Sequence, residues 1–309
     1  MAIPEDTMKT IESIDHEAGE NFIIYNGDAC ELVAQMPDNS VDLMIYSPPF
    51  ANLFTYSDSA RDMGNVVDDA QFFEHYRYLL GELLRVLRPG RLAVVHCTDL
   101  CAYQVHQGYS GSRDVPGENI RAHQSGEPGP GHDPWRYHAR TTIWKDPVTE
   151  MQRSKALGLL WSQLCKDSTR SRMGIPDYLL MFRKGHKAAE VPVNHTRKAF
   201  PVEQWQQWAS PVWMDIRQTR TLNARIAREA GDERHMCPLQ LDVIERIITL
   251  YSNEGDVVLS PFGGVGSEGV VALQMQRRAV LCELKPSYYR TAAANLHEAD
   301  GSHQTRRFG

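Results

Sequence analysis

The residues Ser47, Pro48, Pro49 and Phe50 come directly after the apolar run VDLMIY. Two consecutive prolines remove two backbone donors, and no helix begins there. A residue before a proline is restricted to extended conformations, so Ser47 and Pro48 are both rigid. The Ser47 hydroxyl and the Pro48 carbonyl are then fixed acceptors for an amine, and Phe50 is able to stack on a planar ring. A simple polyproline turn would have the same sequence.

A second group of residues that could bind a ligand is the stretch VVLSPFGGVGSEG, residues 257–269. It has the order of an apolar strand, a glycine-rich loop and a helix, and Gly263, Gly264 and Gly266 allow the backbone to approach a ligand closely. Glu283 ends the next predicted strand, 19 residues after Gly264. An acid at that place hydrogen-bonds ribose hydroxyls in dinucleotide-binding folds, which favours a nucleoside cofactor. Plain turns between a strand and a helix can have the same glycines.

The charge of the chain is unevenly distributed. The net charge is −6, yet residues 139–234 hold 17 Lys and Arg against 10 Asp and Glu, and all six tryptophans lie between 135 and 213. A basic, aromatic-rich segment on an acidic body favours a nucleic-acid partner, although a solvated basic face over a small secondary core would give the same counts. The chain has no apolar run of about 18 residues and no signal-peptide pattern, so we expect a cytoplasmic protein.

The six cysteines are scattered, which predicts reduced thiols in a cytoplasmic chain. His96, Cys97 and Cys101 are close enough in sequence to suggest a metal site. Because LAVVHC has the pattern of a strand, His96 and Cys97 should point to opposite faces. We therefore expect no bound metal.

Strands and helices alternate along the chain, which predicts an α/β fold with a doubly wound parallel sheet. The strands are expected at 21–28, 41–46, 91–97, 140–146, 177–184, 257–260 and 278–284, and the helices at 29–37, 68–90, 149–166, 237–252, after the glycine loop, and from Pro286. Residues 104–139 lack periodicity and are predicted to be a long loop, residues 185–234 resist assignment, and residues 298–309 are predicted to be a flexible tail.

Three separated stretches together resemble one known family. They are NGDACELVAQMPDNSVDLMIYSPPF, LLRVLRPGRLAVV, and the long stretch from HMCPLQLDVIERIITLYS through SPFGGVGSEG to LCEL. All three are similar to the amino-methylating DNA methyltransferases, which transfer a methyl group from S-adenosylmethionine to N4 of cytosine or N6 of adenine. The resemblance covers 22–100 and 235–297 well, 140–184 loosely, and 185–234 hardly at all.

The order of the motifs resembles the β group of that family, in which the catalytic motif comes first and the cofactor loop last. The resemblance implies a Rossmann-like methyltransferase sheet with permuted motif order and an inserted target-recognition segment. Residues 22–184 and 235–297 would form the core, 185–234 the recognition segment, and the 104–139 loop a second DNA contact. The resemblance further implies methylation of the restriction–modification type, double-stranded DNA as partner, and by analogy a homodimer.

The resemblance also implies roles for single residues. Ser47, Pro48, Pro49 and Phe50 would hold the target base, which must be flipped out of the duplex. The residues expected to bind the cofactor are Asp28, His235, Pro238, Ser260, Phe262, Gly264, Gly266 and Glu283. The family's loop often begins with Asp, and here Ser260 takes that place, which leaves the contact to the cofactor's ammonium group open.

The choice of base and the DNA contacts are less sharply determined. Serine at the first motif position is more typical of cytosine enzymes in the family, so N4 of cytosine is slightly favoured over N6 of adenine. An RNA methyltransferase and a non-catalytic DNA-binding relative stay open as alternatives. The candidate DNA contacts are Arg170, Arg172, Lys184, Lys187, Arg197, Lys198, Arg217 and Arg220, and the aromatic candidates beside the base are Phe54, Tyr56 and Trp144.

Overall fold

A computed structural model describes residues 13, 15–49, 63, 69–104, 108–125, 133–154, 158–222 and 238–307. The strands are β1 Asp15–Ala18, β2 Phe22–Asn26, β3 Val41–Tyr46, β4 Leu87–Thr98, β5 Leu100–Gln104, β6 Gly108–Arg113, β7 Trp135–Ile143, β8 Asp177–Lys184, β9 Val212–Trp213, β10 Val257–Ser260 and β11 Arg278–Glu283. The helices are α1 Ala29–Ala34, α2 Asp69–Val86, α3 Val115–Ser125, α4 Pro147–Ser154, α5 Trp161–Lys166, α6 Val202–Trp208, α7 Leu241–Tyr251, α8 Ser267–Gln274 and α9 Pro286–Arg307.

Nine strands form one sheet in the order β1-β2-β11-β10-β3-β4-β8-β7-β9. The five strands from β2 to β4 are parallel, whereas β8 runs antiparallel to both β4 and β7. The strand that leads into the glycine loop, β10, lies beside β3, so two stretches far apart in the chain are neighbours. Their carboxyl ends meet at one edge of the sheet, which is where open α/β sheets bind ligands.

Both faces of the sheet are covered, as the unbroken apolar run VDLMIY predicts. All six residues of β3 are buried. Met44 and Tyr46 pack on one face with residues of α1, α2 and α3. Leu43 and Ile45 pack on the other face with residues of α7, α8 and α9. The predicted α/β fold with a largely parallel sheet is therefore confirmed.

The prediction of a long loop over 104–139 is wrong. Strands β5 and β6 pair as an antiparallel hairpin, helix α3 follows, and β7 already begins at Trp135. Helix α3 is tied to the core because Ala122 and His123 are buried, with His123 stacked on Phe182. The glycines and histidines in this stretch hide the pattern, since buried histidines do not count as apolar positions.

Three other element boundaries differ from expectation. The helix predicted over 149–166 is two short helices, α4 and α5, and the helix predicted over 68–90 ends at Val86 because β4 begins at Leu87. The tail predicted to be flexible continues helix α9 as far as Arg307. Asp300 fixes that helix by accepting hydrogen bonds from the Glu20 amide, at 2.8 Å, and from the Asn21 side chain, at 2.9 Å.

The segment 185–234 is partly built into the sheet. Strand β9 pairs with β7, and Trp213 is buried in the same cluster as residues of α7. Arg246 of α7 lies 5.1 Å from the centre of the Trp213 ring and 5.2 Å from that of Trp208. Residues 208–213 therefore lie against the sheet edge next to β7, whereas Nε2 of His195 lies 3.2 Å from the Leu250 carbonyl at the end of α7.

Candidate active site

The rigid stretch after β3 lies at the carboxyl edge of the sheet. Pro48 is buried, and Ser47 and Pro49 are partly buried. Neighbouring β4 ends on one side of it and β10 on the other. Phe50, Phe54 and Tyr56 lie outside the described residues.

The glycine loop is held by backbone contacts to β11. The Gly263 amide donates to the Cys282 carbonyl at 2.8 Å, and the Gly264 amide donates to Oε2 of Glu283 at 2.7 Å. The other carboxylate oxygen of Glu283 accepts from the Lys285 amide at 2.8 Å. The sequence separation that singles out Glu283 thus corresponds to a direct contact with the loop.

The three loop glycines serve different purposes. Gly264 and Gly266 have positive φ values of 53° and 89°, where a side chain is strained. A Cβ on Gly266 would lie 3.2 Å from the Cβ of Ala292, so this glycine permits packing on α9, and Gly263 likewise faces Leu281 at 3.1 Å. A Cβ on Gly264 would meet nothing within 4 Å among the described residues. Gly264 therefore borders open space that a cofactor would fill.

Ser260 stands at the end of β10 with its side chain buried and 1% of the residue exposed. Its hydroxyl has no hydrogen-bond partner among the described residues. A buried hydroxyl without a partner costs free energy, and a ligand that bonds to it would recover that cost. Together with the open space at Gly264 and the acid at Glu283, this hydroxyl fits a polar cofactor at the loop.

The other predicted cofactor residues that the structure describes are Asp28, Phe262 and Pro238. Oδ1 of Asp28 accepts from the Cys30 amide at 2.7 Å and so caps α1, while the neighbouring Gly27 amide donates to the Glu283 carbonyl at 3.1 Å. The ring of Phe262 lies 6.0 Å from that of Tyr46, just before Ser47. Pro238 precedes α7 and is partly buried, and His235 lies outside the described residues.

A row of side chains that the sequence does not reveal begins at Ser47. The Ser47 hydroxyl lies 2.8 Å from Nδ1 of His96, and Nε2 of that ring lies 3.3 Å from Oδ2 of Asp177. The Lys145 ammonium forms an ion pair with the other oxygen, Oδ1 of Asp177. His96 is 13% exposed and Asp177 is 3% exposed, so the row is largely shielded from water.

The position of this row follows from strand direction. Because β8 is antiparallel, its first residue Asp177 pairs with Thr98 near the end of β4. Asp177 is therefore delivered to the edge where the parallel strands end. The sequence suggests His96 only as a metal ligand with Cys97, and Cys97 is buried on the opposite face with Tyr46. A sequence signal for the role of His96 would have been its position near the end of the strand predicted over 91–97. That strand is the next one in the chain after the strand that leads into Ser-Pro-Pro.

A pocket opens beside the two prolines. Its apolar wall includes Phe72, Phe73 and Leu100, next to Pro48 and Pro49. Polar groups come from the hairpin end and from helix α3: Arg113, Asp114, Glu118 and Asn119. The Asn119 amide is buried, and it donates to the Val115 carbonyl at 3.0 Å. An aromatic wall with a few polar groups suits a planar, polar ring.

A family model described as DNA methylase, of the N6/N4 type, matches residues 41–294. The chain belongs to this DNA methylase family. The match includes Ser-Pro-Pro and the glycine loop, so the site described above lies within the matched region.

Curated relatives of this DNA methylase carry restriction–modification names. The chain is 26% identical to the Type II methyltransferase M.BamHI of Bacillus amyloliquefaciens over 263 residues, which is 84% of this chain and 54% of that protein. It is 22% identical to the Type II methyltransferase M.BglI of Bacillus subtilis over 335 residues, covering 88% of this chain and 84% of that protein. The alignment thus spans only about half the length of M.BamHI.

Solved structures share the fold of this DNA methylase. TTHA0409 from Thermus thermophilus, in complex with S-adenosyl-L-methionine, superposes with a TM-score of 0.64 at 21% identity, over 91% of this chain and 96% of that one. The cytosine-N4-specific PvuII DNA methyltransferase superposes with a TM-score of 0.60 at 19% identity, over 89% and 86%. Across the residues that the structure describes, none of the helices is both long and apolar enough to cross a lipid bilayer.

Apart from Lys184, the basic residues predicted to contact DNA fall into two groups in this DNA methylase. Arg172 pairs with Glu150 at 2.9 Å, and Arg217 and Arg220 each lie 2.6 Å from Asp242, so these three hold the protein's own carboxylates. Arg170, Lys187, Arg197 and Lys198 are exposed.

Lys184 is not available to DNA. It is buried, and its ammonium donates to the carbonyls of Arg85, at 3.0 Å, and Leu87, at 2.7 Å. It also donates to Oδ1 of Asn39 at 2.8 Å. Burial lowers the pKa of this ammonium to about 8. The strand pattern DYLLMFRK places the side chain inward, where it holds the end of α2.

Proposed function

We propose that the protein is an S-adenosylmethionine-dependent DNA methyltransferase that methylates the exocyclic amine of a flipped base, with N4 of cytosine as the target. The observation that carries this proposal is the position of Ser47, Pro48 and Pro49 at the carboxyl end of β3, next to the strand that leads into the glycine loop. The two halves of the reaction, methyl donor and amine, would therefore meet at one edge of the sheet.

The cofactor is assigned to the loop after β10. S-adenosylmethionine supplies a methyl group on a positively charged sulfur. Gly264 would leave room for it, the Glu283 carboxylate would accept from its ribose hydroxyls, and Asp28 would face it from the adjacent strand end. The buried Ser260 hydroxyl offers one polar contact in the place where the family often has Asp.

The chemistry of the target amine explains the prolines. Its lone pair is delocalised into the base ring, so the nitrogen is a poor nucleophile. Hydrogen bonds to two fixed acceptors, the Ser47 hydroxyl and the Pro48 carbonyl, would favour a tetrahedral nitrogen and align it with the methyl group. A preorganised clamp of this kind needs no covalent bond to the protein.

The pocket beside Pro48 and Pro49 supports the proposal that the target base is flipped out of the DNA duplex. Flipping a base costs a few kcal/mol of stacking and pairing, which contacts in a pocket must offset. Phe72 and Phe73 supply an aromatic wall at this place, and Asn119 supplies an amide. We assign the phosphate contacts to the exposed Arg170 and to the exposed Lys187, Arg197 and Lys198 of the predicted recognition segment.

Cytosine is proposed over adenine because Ser47 stands first in the motif. The test is to incubate the protein with unmethylated duplex DNA and methyl-labelled S-adenosylmethionine, digest the DNA, and identify the labelled nucleoside by mass spectrometry. Labelled N4-methylcytosine is the expected product, and N6-methyladenine would reject the assignment of the base. Label in RNA alone would make the protein an RNA enzyme, and label in neither would leave a nucleic-acid-binding protein.

A further inference from the structure

The row from Ser47 to Lys145 joins four parts of the sheet that are distant in sequence. Ser47 follows β3, His96 lies in β4, Lys145 follows β7 and Asp177 begins β8. We propose that His96, oriented by Asp177 and Lys145, is a positioning residue that removes the proton of the target amine through the Ser47 hydroxyl. This inference rests on the proposed amino-methylation and adds the route of the proton to it.

The ionisation of Asp177 determines which atoms of the row donate hydrogen bonds and which accept them. Burial on its own raises the pKa of this carboxyl, but His96 and Lys145 outweigh burial and lower the pKa to about 2. The carboxylate is therefore ionised at neutral pH and can only accept hydrogen bonds. Nε2 of His96 lies 3.3 Å from this carboxylate, although it forms no regular hydrogen bond among the described residues. Because the group that faces Nε2 is negatively charged, we assign the proton of the neutral ring to Nε2.

That tautomer leaves a lone pair on Nδ1, directed at Ser47. The 2.8 Å contact then has the Ser47 hydroxyl donating to His96. With its own proton pointing at the ring, the Ser47 oxygen offers lone pairs to the opposite side, where the amine is proposed to lie. Pro48 and Pro49 hold the backbone so that this direction is retained. A hydroxyl oriented by a histidine and a carboxylate is a stronger acceptor than a freely rotating one.

The methyl transfer leaves a surplus proton on the amine, and the Ser47 oxygen can accept it. The nitrogen–methyl bond forms as the sulfur–methyl bond breaks with its electrons returning to sulfur, and the nitrogen then holds one proton too many. That proton passes to the Ser47 oxygen while the Ser47 hydroxyl proton passes to Nδ1 of His96. The resulting imidazolium is paired with the Asp177 carboxylate, and it releases one proton to solvent after the product leaves.

The charged groups that the described contacts place on this row are Asp177 of β8 and Lys145 after β7, while β3 contributes only the neutral Ser47. Lys145 balances the buried carboxylate when His96 is neutral.

The experiment compares wild type with His96→Gln and Asp177→Asn, and uses His16→Gln in the exposed edge strand β1 as control. Single-turnover methyl transfer is measured from pH 5.5 to 9 at saturating S-adenosylmethionine. We expect a wild-type rate that falls in acid and a His96→Gln rate about 100-fold lower without that fall, because the relay needs an acceptor nitrogen on the ring. Gln keeps a hydrogen bond to Ser47, so recovery of the wild-type rate and profile by this variant would reduce His96 to a structural part and overturn the proposal.

A second readout does not depend on turnover. Nitrogen NMR of the histidine rings should show His96 protonated on Nε2 in wild type, with a mixture of tautomers in Asp177→Asn. A proton on Nδ1 in wild type would overturn the proposal, even with full activity. Cofactor affinity and thermal unfolding of each variant identify those that fail to fold. Absence of methylation by wild type would instead reject the proposed function, which separates the two failures.

Discussion

The two halves of the candidate site are built in different ways. The half around β10 and β11 relies on backbone, with amide hydrogen bonds at Gly263 and Gly264 and one carboxylate from Glu283. The half around β3 and β4 relies on side chains: Ser47, His96 and Asp177 meet from three strands. A backbone loop can hold a constant cofactor, while side chains can be exchanged to suit one base. The comparison predicts that substitutions in the two halves affect different steps.

The largest expected effect concerns a buried acid in the backbone-built half. Glu268 in the first turn of α8 is buried, and burial raises its pKa to about 8. In the unfolded chain it loses its proton near its ordinary pKa, so from there to about pH 8 the folded state holds the extra proton. Stability therefore falls as pH rises in that interval, by about 1.4 kcal/mol per pH unit.

Glu268→Gln should remove this slope. The variant should match wild type near pH 4 and exceed it by a few kcal/mol near pH 8, measured by denaturant unfolding without cofactor. The exposed Glu190→Gln serves as the matched control. Parallel pH curves for wild type and Glu268→Gln would show that this carboxyl is ionised in the folded protein.

The next effect in size separates cofactor binding from chemistry. Glu283→Ala removes the carboxylate that accepts from the Gly264 and Lys285 amides and is proposed to hold the ribose. Loss of charged hydrogen bonds should weaken the binding of S-adenosylmethionine about 10- to 100-fold, as measured by calorimetry. The single-turnover rate at saturating cofactor should stay within about threefold of wild type, because the clamp at Ser47 is untouched. A large loss of the rate at saturating cofactor, with an unchanged affinity for S-adenosylmethionine, would contradict the proposed division between a cofactor half and a catalytic half.

The smallest expected effect concerns the DNA surface. Arg197 and Lys198 are exposed, and the double substitution to Gln should weaken DNA binding. It should also reduce the magnitude of the slope of log affinity against log salt concentration by about two. Arg278→Gln is the control, since Arg278 lies outside the predicted recognition segment and donates to the Gly255 carbonyl. A salt dependence equal to that of wild type would remove these two residues from the DNA interface.

The same contrast explains what the sequence can predict. The apolar run VDLMIY predicts a strand buried on both faces, and β3 has that burial. The glycine spacing and the distance to Glu283 predict a loop and an acid that indeed touch. These features are predictable because they lie in local strand–loop–helix units, in which sequence distance determines spatial distance.

The contacts of the other half are not predictable in this way. His96, Lys145 and Asp177 are brought to Ser47 by the pairing of β4 with the antiparallel β8, and a sequence pattern does not give strand direction. The elements within 104–139 escape prediction for a related reason. Their burial depends on His123 stacked against Phe182, a contact between elements that are distant in sequence.

The central claim is that Ser47 acts on the amine while the glycine loop binds the cofactor. It is tested most directly by Ser47→Ala, with Ser40→Ala as control, because Ser40 lies at the amino end of β3 and its hydroxyl donates to the nearby Pro37 carbonyl. Single-turnover methyl transfer to duplex DNA and calorimetric binding of S-adenosylmethionine are measured on both. The account predicts that Ser47→Ala lowers the rate about 100-fold or more, while the cofactor affinity changes less than about twofold. A Ser47→Ala enzyme that transfers methyl groups at the wild-type rate would contradict it.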